Sequence, residues 1–495
     1  MFMTRFLSAA LAASTLPALA ADLPPETQQL TTQGAYVARA GDCMACHAVR
    51  DSGKPYGGGY AIESPMGTIY STNISPSKQY GIGNWTEEQF TRAVREGVAA
   101  DGHNLYPAMP YPDYRNISDS DMHALYTYLM MQVAPVDEPP PHVTDLSFPF
   151  NLRLAMKGWN LLFLSKPDPS IGKAQTTEVY RGRYLVDTLG HCGSCHTPRN
   201  ALMASDSSQY LAGGPLGGWH APNITSDPVV GIGGWSVDEL AGYLKNGHAA
   251  GRGQAAGGMA EAVEHSLSHL SDADLNAMAV YLKSVPAKSS PGQSKPAYGW
   301  GQTDTLHYEF DSESSRETLR DADMSSPYGT DGLTSRTYTF TEEKPSGARI
   351  YVNACASCHQ PNGRGLEDQY YPSLSHNSTV GAENPNNLIM AVLKGIDRDS
   401  ADGHTLMPGY ENDLSNEQVA AVANYVMHRF GDPSAKPVTA EHVALLKAGG
   451  EKPLLARVSI WSKPAIAIAI VALLAIATLF WRKRRTRLSK LDPTL

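Results

Sequence analysis

Three times the chain sets two cysteines three positions apart with a histidine directly after them. The stretches are Cys43-Met44-Ala45-Cys46-His47, Cys192-Gly193-Ser194-Cys195-His196 and Cys355-Ala356-Ser357-Cys358-His359. They account for all six cysteines of the 495 residues. Two thiols on one turn of backbone can add across the two vinyl groups of a haem, and the adjacent histidine then sits under the iron. A structural zinc site needs four ligands, usually two paired motifs, and each stretch offers one pair. Disulfides would use the cysteines and leave three adjacent histidines unexplained. The motifs therefore predict three covalently bound haem c groups. Cys43, Cys46, Cys192, Cys195, Cys355 and Cys358 are the expected attachment points, and His47, His196 and His359 the expected iron ligands.

The sixth ligand decides whether such an iron is closed for electron transfer or open to oxygen. In small domains of this kind a methionine comes late, after a middle helix. Tyr106 to Tyr111 contains Met109-Pro110, and Leu406 to Tyr410 contains Met407-Pro408. Both follow an Asp-Gly-His triplet, Asp101 to His103 and Asp402 to His404. A proline after the methionine suits an extended loop lying over a haem face. Met259 follows His196 by 63 residues, as Met109 follows His47 by 62, but Ala260 replaces the proline and His265 is the next choice. The expected metal set is His47, Met109, His196, Met259, His359 and Met407. Core packing is the competing use of these methionines. No catalytic residue is expected; the competing reading, a peroxidase or oxygen reductase, needs one haem with an open sixth position.

The elements that must hold these residues repeat along the chain. Asn73-Ile74-Ser75 precedes Gly81-Ile82-Gly83 and Trp85; Asn223-Ile224-Thr225 precedes Gly231-Ile232-Gly233 and Trp235. Thr86 and Ser236 then read as helix N-caps, with Gly97 and Gly247 as the stops. Ser118, Ser271 and Ser415 each open a later helix, with Asp121, Asp274 and Gln418 three residues on and Tyr128, Tyr281 and Tyr425 ten residues on. Equal spacing in three places means three copies of one structural unit. Each copy reads as a helix leading into the cysteine motif, a loop, a middle helix, another loop and a final capped helix. Little strand-like alternation is visible.

The termini read as targeting and anchoring segments. Residues 1–20 fit a signal peptide: Arg5, an apolar stretch to Leu16, and the small-residue site Ala18-Leu19-Ala20. Ala465 to Phe480 form an uncharged run bracketed by Trp461 and Trp481, and 461–481 is the expected transmembrane helix. The basic tail 482–495, with Arg482, Lys483, Arg484, Arg485, Arg487 and Lys490, would stay cytoplasmic. That arrangement puts the protein in the cytoplasmic membrane of a Gram-negative bacterium, with its bulk in the periplasm. The formal charge of −9 is more negative still without that tail, which argues against nucleic-acid binding. The units are expected at 21–134, 179–285 and 344–432. Residues 135–178 form a linker with an apolar stretch, Phe148 to Leu164, that either covers a joint or lies in a membrane interface. Residues 286–343 form a second linker, and 433–460 a juxtamembrane segment.

The motifs, with Ser71-Thr72-Asn73-Ile74 and Tyr106 to Tyr111, resemble the triple-haem cytochrome c subunits of membrane-bound dehydrogenases of acetic acid bacteria and related proteobacteria. The resemblance covers nearly all of the mature chain. It implies an all-α fold of three tandem class I cytochrome c domains plus a C-terminal transmembrane helix. It also implies an electron-transfer subunit that anchors a large catalytic partner, and a small subunit where the complex has one, and that passes electrons to ubiquinone at the lipid. The catalytic partner in such complexes is a flavoprotein for gluconate, fructose or sorbitol, a quinoprotein for alcohols or a molybdenum enzyme for aldehydes; the C-terminal span favours the flavoprotein group. A free-standing cytochrome feeding a terminal oxidase is the other reading.

Overall fold

A computed structural model gives the structure of residues 23–49, 52–171, 177–290, 292–301, 346–367 and 369–461. The expected signal peptide lies outside them.

The first unit begins with α1 (Pro25–Ala40), opened by a proline at its first turn and closed at Gly41. The motif helix α2 (Cys43–His47) follows at once. Thr86 and Gln89 form a capping box for α3 (Glu87–Glu96), which ends at Gly97 in the left-handed conformation. A single turn, α4 (Tyr111–Tyr114), precedes α5 (Asp119–Met131), whose cap Ser118 accepts from the Asp121 amide at 3.1 Å. The linker then carries α6 (Leu154–Phe163).

The second unit repeats the plan with α7 (Glu178–Tyr184), α8 (Gly193–His196), α9 (Val237–Asn246), α10 (Gly258–His265) and α11 (Asp272–Ser284). Here α7 runs on into one π turn, Leu185–Leu189, which takes up an extra residue before the cysteines. The third unit has α12 (Gly347–Ala354), α13 (Ala356–His359), α14 (Asn386–Lys394) and α15 (Asn416–Phe430). Two short helices, α16 (Ala440–Lys447) and α17 (Leu454–Trp461), end the described chain.

In each unit the first helix crosses the last: α1 on α5, α7 on α11 and α12 on α15. The crossings are so close that each needs a glycine. A Cβ on Gly34 would sit 2.0 Å from the Ala124 carbonyl oxygen, on Gly182 1.9 Å from that of Ala277, and on Gly347 2.2 Å from that of Ala421. The repeated tyrosines Tyr128, Tyr281 and Tyr425 flank the same three contacts. One apolar core runs from Val37 to Val285 through the first two units, while the third has its own, from Ile350 to Leu446.

Two expectations need correction. The fold is not all-α: strands β1 (Ala61–Ser64), β2 (Gly67–Tyr70) and β3 (Asp145–Leu146) form one antiparallel sheet. Three hairpins accompany it: β4–β5 (Gly214–Leu216 and Trp219–Ala221), β6–β7 (His248–Ala249 and Gly253–Gln254) and β8–β9 (Ile396–Ser400 and Gly403–Met407). They pair the backbone of the loops between helices, where lone polar groups would be costly. Their strands are short, and β8 alternates around a buried arginine, Arg398, instead of an apolar residue, so hydropathy did not reveal them.

The second correction concerns the C-terminus. Among the described residues no helix is long and apolar enough to cross a membrane. The last described helix has eight residues, against the roughly 20 a span requires. The expected transmembrane helix, and the membrane placement with a cytoplasmic C-terminus that rested on it, are therefore without support. The run 461–481, apart from Trp461, lies outside the described residues, as does the basic tail.

The segment Phe148 to Leu164 makes hydrogen bonds to both of the first two units. Tyr111 donates to Asn160 Oδ1 at 2.6 Å, Arg153 to the Asn104 carbonyl at 3.0 Å, and Trp159 to the Leu202 carbonyl of the second unit at 3.0 Å.

The crossing glycines make a direct prediction. Gly182→Ala should destabilise the protein by about 1–3 kcal/mol, because overpacking against backbone outweighs the gain of about 1 kcal/mol in helix propensity. Gly242→Ala in α9, where a Cβ meets nothing within 4 Å, should be neutral or stabilising. Thermal unfolding of the two variants checks this; equal midpoints would contradict it.

Candidate functional site

Each motif histidine is held in the same way. His47 Nδ1 lies 2.7 Å from the Thr72 carbonyl, His196 Nδ1 2.7 Å from that of Pro222, and His359 Nδ1 2.9 Å from that of Pro372. A carbonyl can only accept, so Nδ1 carries the proton and Nε2 keeps its lone pair for a metal. Burial pushes all three imidazoles below the usual histidine range, and the carbonyl bond only partly opposes it. The rings are neutral and free to bind a metal through Nε2.

The thiols fit haem better than zinc. Burial pushes Cys43, Cys46, Cys192 and Cys355 up to about 12, and raises Cys195 as well. A zinc site needs thiolates, which this environment resists, whereas a thioether carries no charge to bury. Among the described residues, no three His, Cys, Asp or Glu side chains cluster in a metal-binding arrangement. In the first two units the residue before the first cysteine, Asp42 or His191, has a positive φ of 52° or 35°. Such strain in a non-glycine residue is tolerated where geometry matters.

The methionines are placed unequally. Met109 packs half-buried against the common core just before α4, and the Tyr114 hydroxyl of that turn donates to the Gly41 carbonyl beside the motif. Met407 ends β9, and the Tyr410 hydroxyl three residues later donates to the Ala354 carbonyl, next to Cys355, at 2.9 Å. In both units a tyrosine thus ties the methionine segment to the cysteine motif. Met259 instead sits on a helix, α10, packed on the common core. His265 ends that helix, and its carbonyl accepts from Arg39 at 3.3 Å. His103 and His404 pair with Asp101 and Asp399 beside the Asp-Gly-His turns, at 2.5 and 2.9 Å.

The sequence did not reveal that the first two sites face each other. Ser194, between the second pair of cysteines, donates to Asp113 of the first unit at 2.7 Å. His191 packs edge-on against Tyr114 at 5.3 Å between centroids. The Cys195 sulfur is near enough to push the Cys46 thiol up further. Tyr60 of the first unit donates to Glu261 of α10 at 2.9 Å.

A reciprocal clamp fixes this arrangement. Tyr36 on α1 donates to Asp274 at 2.5 Å and accepts from the Ser271 amide at 3.1 Å. Tyr184 on α7 donates to Asp121 at 2.7 Å and accepts from the Ser118 amide at 3.1 Å. Each unit's first helix grips the cap of the other unit's last helix. Gln33 adds a bond to Asp121 at 2.8 Å, and Arg181 a bidentate pair to Asp274, both at 2.7 Å. A signal for this was present: Gly34-Ala35-Tyr36 matches Gly182-Arg183-Tyr184, while the third unit has Gly347-Ala348-Arg349.

Comparison with known proteins agrees with this geometry. The cytochrome c family model matches residues 31–132 and 346–429. The chain is 44% identical to the fructose dehydrogenase cytochrome subunit of Gluconobacter japonicus, over 92% of each chain. It is 38% identical to the alcohol dehydrogenase (quinone) cytochrome c subunit of Gluconacetobacter polyoxogenes, over 87% of this chain and 86% of that one. It is also 38% identical to the gluconate 2-dehydrogenase cytochrome c subunit of Pantoea cypripedii, over 84% and 89%.

The clamp has a pH signature. Burial alone would push Asp274 up, but the Arg181 and Tyr36 hydrogen bonds and the Arg181 charge hold it below the usual carboxylate range. A depressed carboxylate contributes stability above its unfolded value of about 4, and that contribution is lost as pH falls through the folded value. Asp274→Asn should therefore cost about 1–3 kcal/mol near neutral pH, by removing the bidentate charged pair with Arg181, and the cost should shrink below about pH 4. Unfolding midpoints of both proteins between neutral pH and pH 3 check this; a cost that does not change with pH would contradict it.

Proposed function

The chain belongs to the family of cytochrome c subunits of fructose, alcohol and gluconate dehydrogenases, and from that premise we propose that it carries three haem c groups and relays electrons from a flavoprotein dehydrogenase to ubiquinone. It is an electron-transfer subunit of a dehydrogenase complex, and the substrate is oxidised on the catalytic partner. The single observation that carries the haem reading is the threefold repeat of a cysteine pair beside a histidine whose Nδ1 is bonded to a carbonyl. Bound haem would supply a reversible one-electron couple at each unit.

The chain's own residues do the rest. Cys43 and Cys46, Cys192 and Cys195, and Cys355 and Cys358 would hold the three groups. The carbonyls of Thr72, Pro222 and Pro372 fix the proton on Nδ1 and leave Nε2 of each histidine free to bind iron, as outer-shell partners of metal-bound histidines do. Met109, Met259 and Met407 would supply the second protein ligand, which would raise the potential and keep oxygen off. The facing of the first two motifs supports direct exchange between those haems. Identity to a fructose dehydrogenase subunit supports a sugar, sugar acid or polyol as the partner's substrate. Similarity to an alcohol dehydrogenase (quinone) subunit supports quinone as the acceptor.

The test is a count. Wild type should show three haems per chain by mass and by absorbance. Replacing both cysteines of one motif with serine should remove one and leave the other two. The reduced wild-type protein should bind carbon monoxide slowly and at less than one per chain. A haem count unchanged in each double-serine variant would overturn the attachment reading. Rapid stoichiometric carbon monoxide binding would overturn the closed-haem reading.

A further inference from the structure

The second unit departs from its neighbours. The cytochrome c family model covers the first and third units and passes over it. Its methionine is followed by Ala260-Glu261, where the first unit has Pro110-Tyr111. A third difference lies at the left-handed glycine that closes the middle helix. Gly97 (φ 65°) lies under the ring of Tyr111, and a Cβ there would sit 2.6 Å from Cε1. Gly247 (φ 73°) lies under the guanidinium of Arg398, and a Cβ there would sit 2.6 Å from Cζ. Tyr111 and Arg398 are both 0% exposed. The two glycines are equivalent by register. Leu105 donates to the Gly97 carbonyl and Ala255 to the Gly247 carbonyl, each at 2.7 Å, and the methionine follows four residues later in both.

Arg398 belongs to the third unit, on β8. Its Nη1 donates to the Gly247 carbonyl at 3.1 Å and to the Ala255 carbonyl at 2.8 Å, the two ends of the loop that leads to Met259. Its Nη2 reaches Thr405 at 3.2 Å and Gln254 at 3.4 Å. Its Nε is buried without a hydrogen-bond partner. A buried guanidinium with one nitrogen unsatisfied is a costly filler compared with a tyrosine ring, so packing alone does not account for it.

We propose that Arg398 is a positioning residue for the second haem: reaching in from the third unit, it pins the 247–255 loop and so holds Met259 over the iron. This rests on the reading that Met259 closes the second haem. The second unit is completed in trans, and closure of its iron depends on docking of the third unit. Asn387 with the His220 carbonyl at 2.8 Å joins the same two units away from that loop.

The experiment uses the full holoprotein and reads the far-red absorption band of methionine-ligated ferric haem, together with a redox titration. Met259→Ala should remove one haem's share of the band; if it removes nothing, the ligand reading itself fails. Arg398→Gln should lose the same share and lower one of the three potentials, with all three haems still attached. Arg398→Lys, able to reach one carbonyl, should lose part of it. Asn387→Ala should keep the full band. Should the Gln variant not accumulate, the Lys variant decides: a reduced band supports the proposal. A full band in Arg398→Lys, or in Arg398→Gln, alongside a reduced one in Met259→Ala overturns the proposal alone. So does an equal loss in Asn387→Ala, since that would make it a matter of docking in general.

Discussion

The close crossing of first and last helices is the contact on which the rest depends. With Gly34, Gly182 and Gly347 lying about 2 Å, at the Cβ position, from the carbonyls of Ala124, Ala277 and Ala421, the two helices meet backbone to backbone. That contact leaves no freedom in where the first helix ends, and its end is where the cysteines begin. The motif is therefore presented at a fixed place relative to the last helix, from which the methionine segment also hangs. A side chain at any of the three positions would move both halves of a haem site at once.

The same helices carry the second level of organisation. Two residues after the crossing glycine, the first helix has Tyr36 or Tyr184; three residues into the last helix lie Asp274 or Asp121. Each tyrosine both donates to the carboxylate and accepts from the cap amide, so the hydroxyl, the carboxylate and the cap amide satisfy one another. The reciprocity explains why the first two units share one core. Arg349 and Gln418 stand at these places in the third unit, which joins the second by another surface, through β8, Asn387 and the Met390 side chain near Gly218.

The cysteine motifs, the serine and threonine caps and the left-handed stops Gly97 and Gly247 were legible because each is a local rule carried by a few residues. The repeat itself was legible because it recurs at fixed spacing. What escaped was non-local. The hairpins are two to five residues long, and the strand Ile396–Ser400 hides its buried position behind an arginine. The clamp depends on which unit a tyrosine meets, which spacing does not encode. The one-residue offset before Cys192 is absorbed by a π turn that no composition signals. The expected span over 461–481 was an argument from hydropathy, flanking tryptophans and a basic tail, and no described helix carries it.

The uneven placement of the three methionines has a physical logic. In the first and third units a tyrosine hydroxyl, Tyr114 or Tyr410, ties the methionine segment back to its own motif. In the second unit Leu267, a buried apolar residue on the turn after α10, precedes the cap Ser271 by the same four residues that separate Tyr114 from Ser118. A leucine offers packing but no hydrogen bond. Without a tyrosine tether of that kind, the segment draws part of its order from outside, and α10 is flanked on one side by Tyr60 and Arg39 of the first unit and on the other by β8 of the third. The unit whose methionine segment lacks a tyrosine tether is thus the one held between the other two.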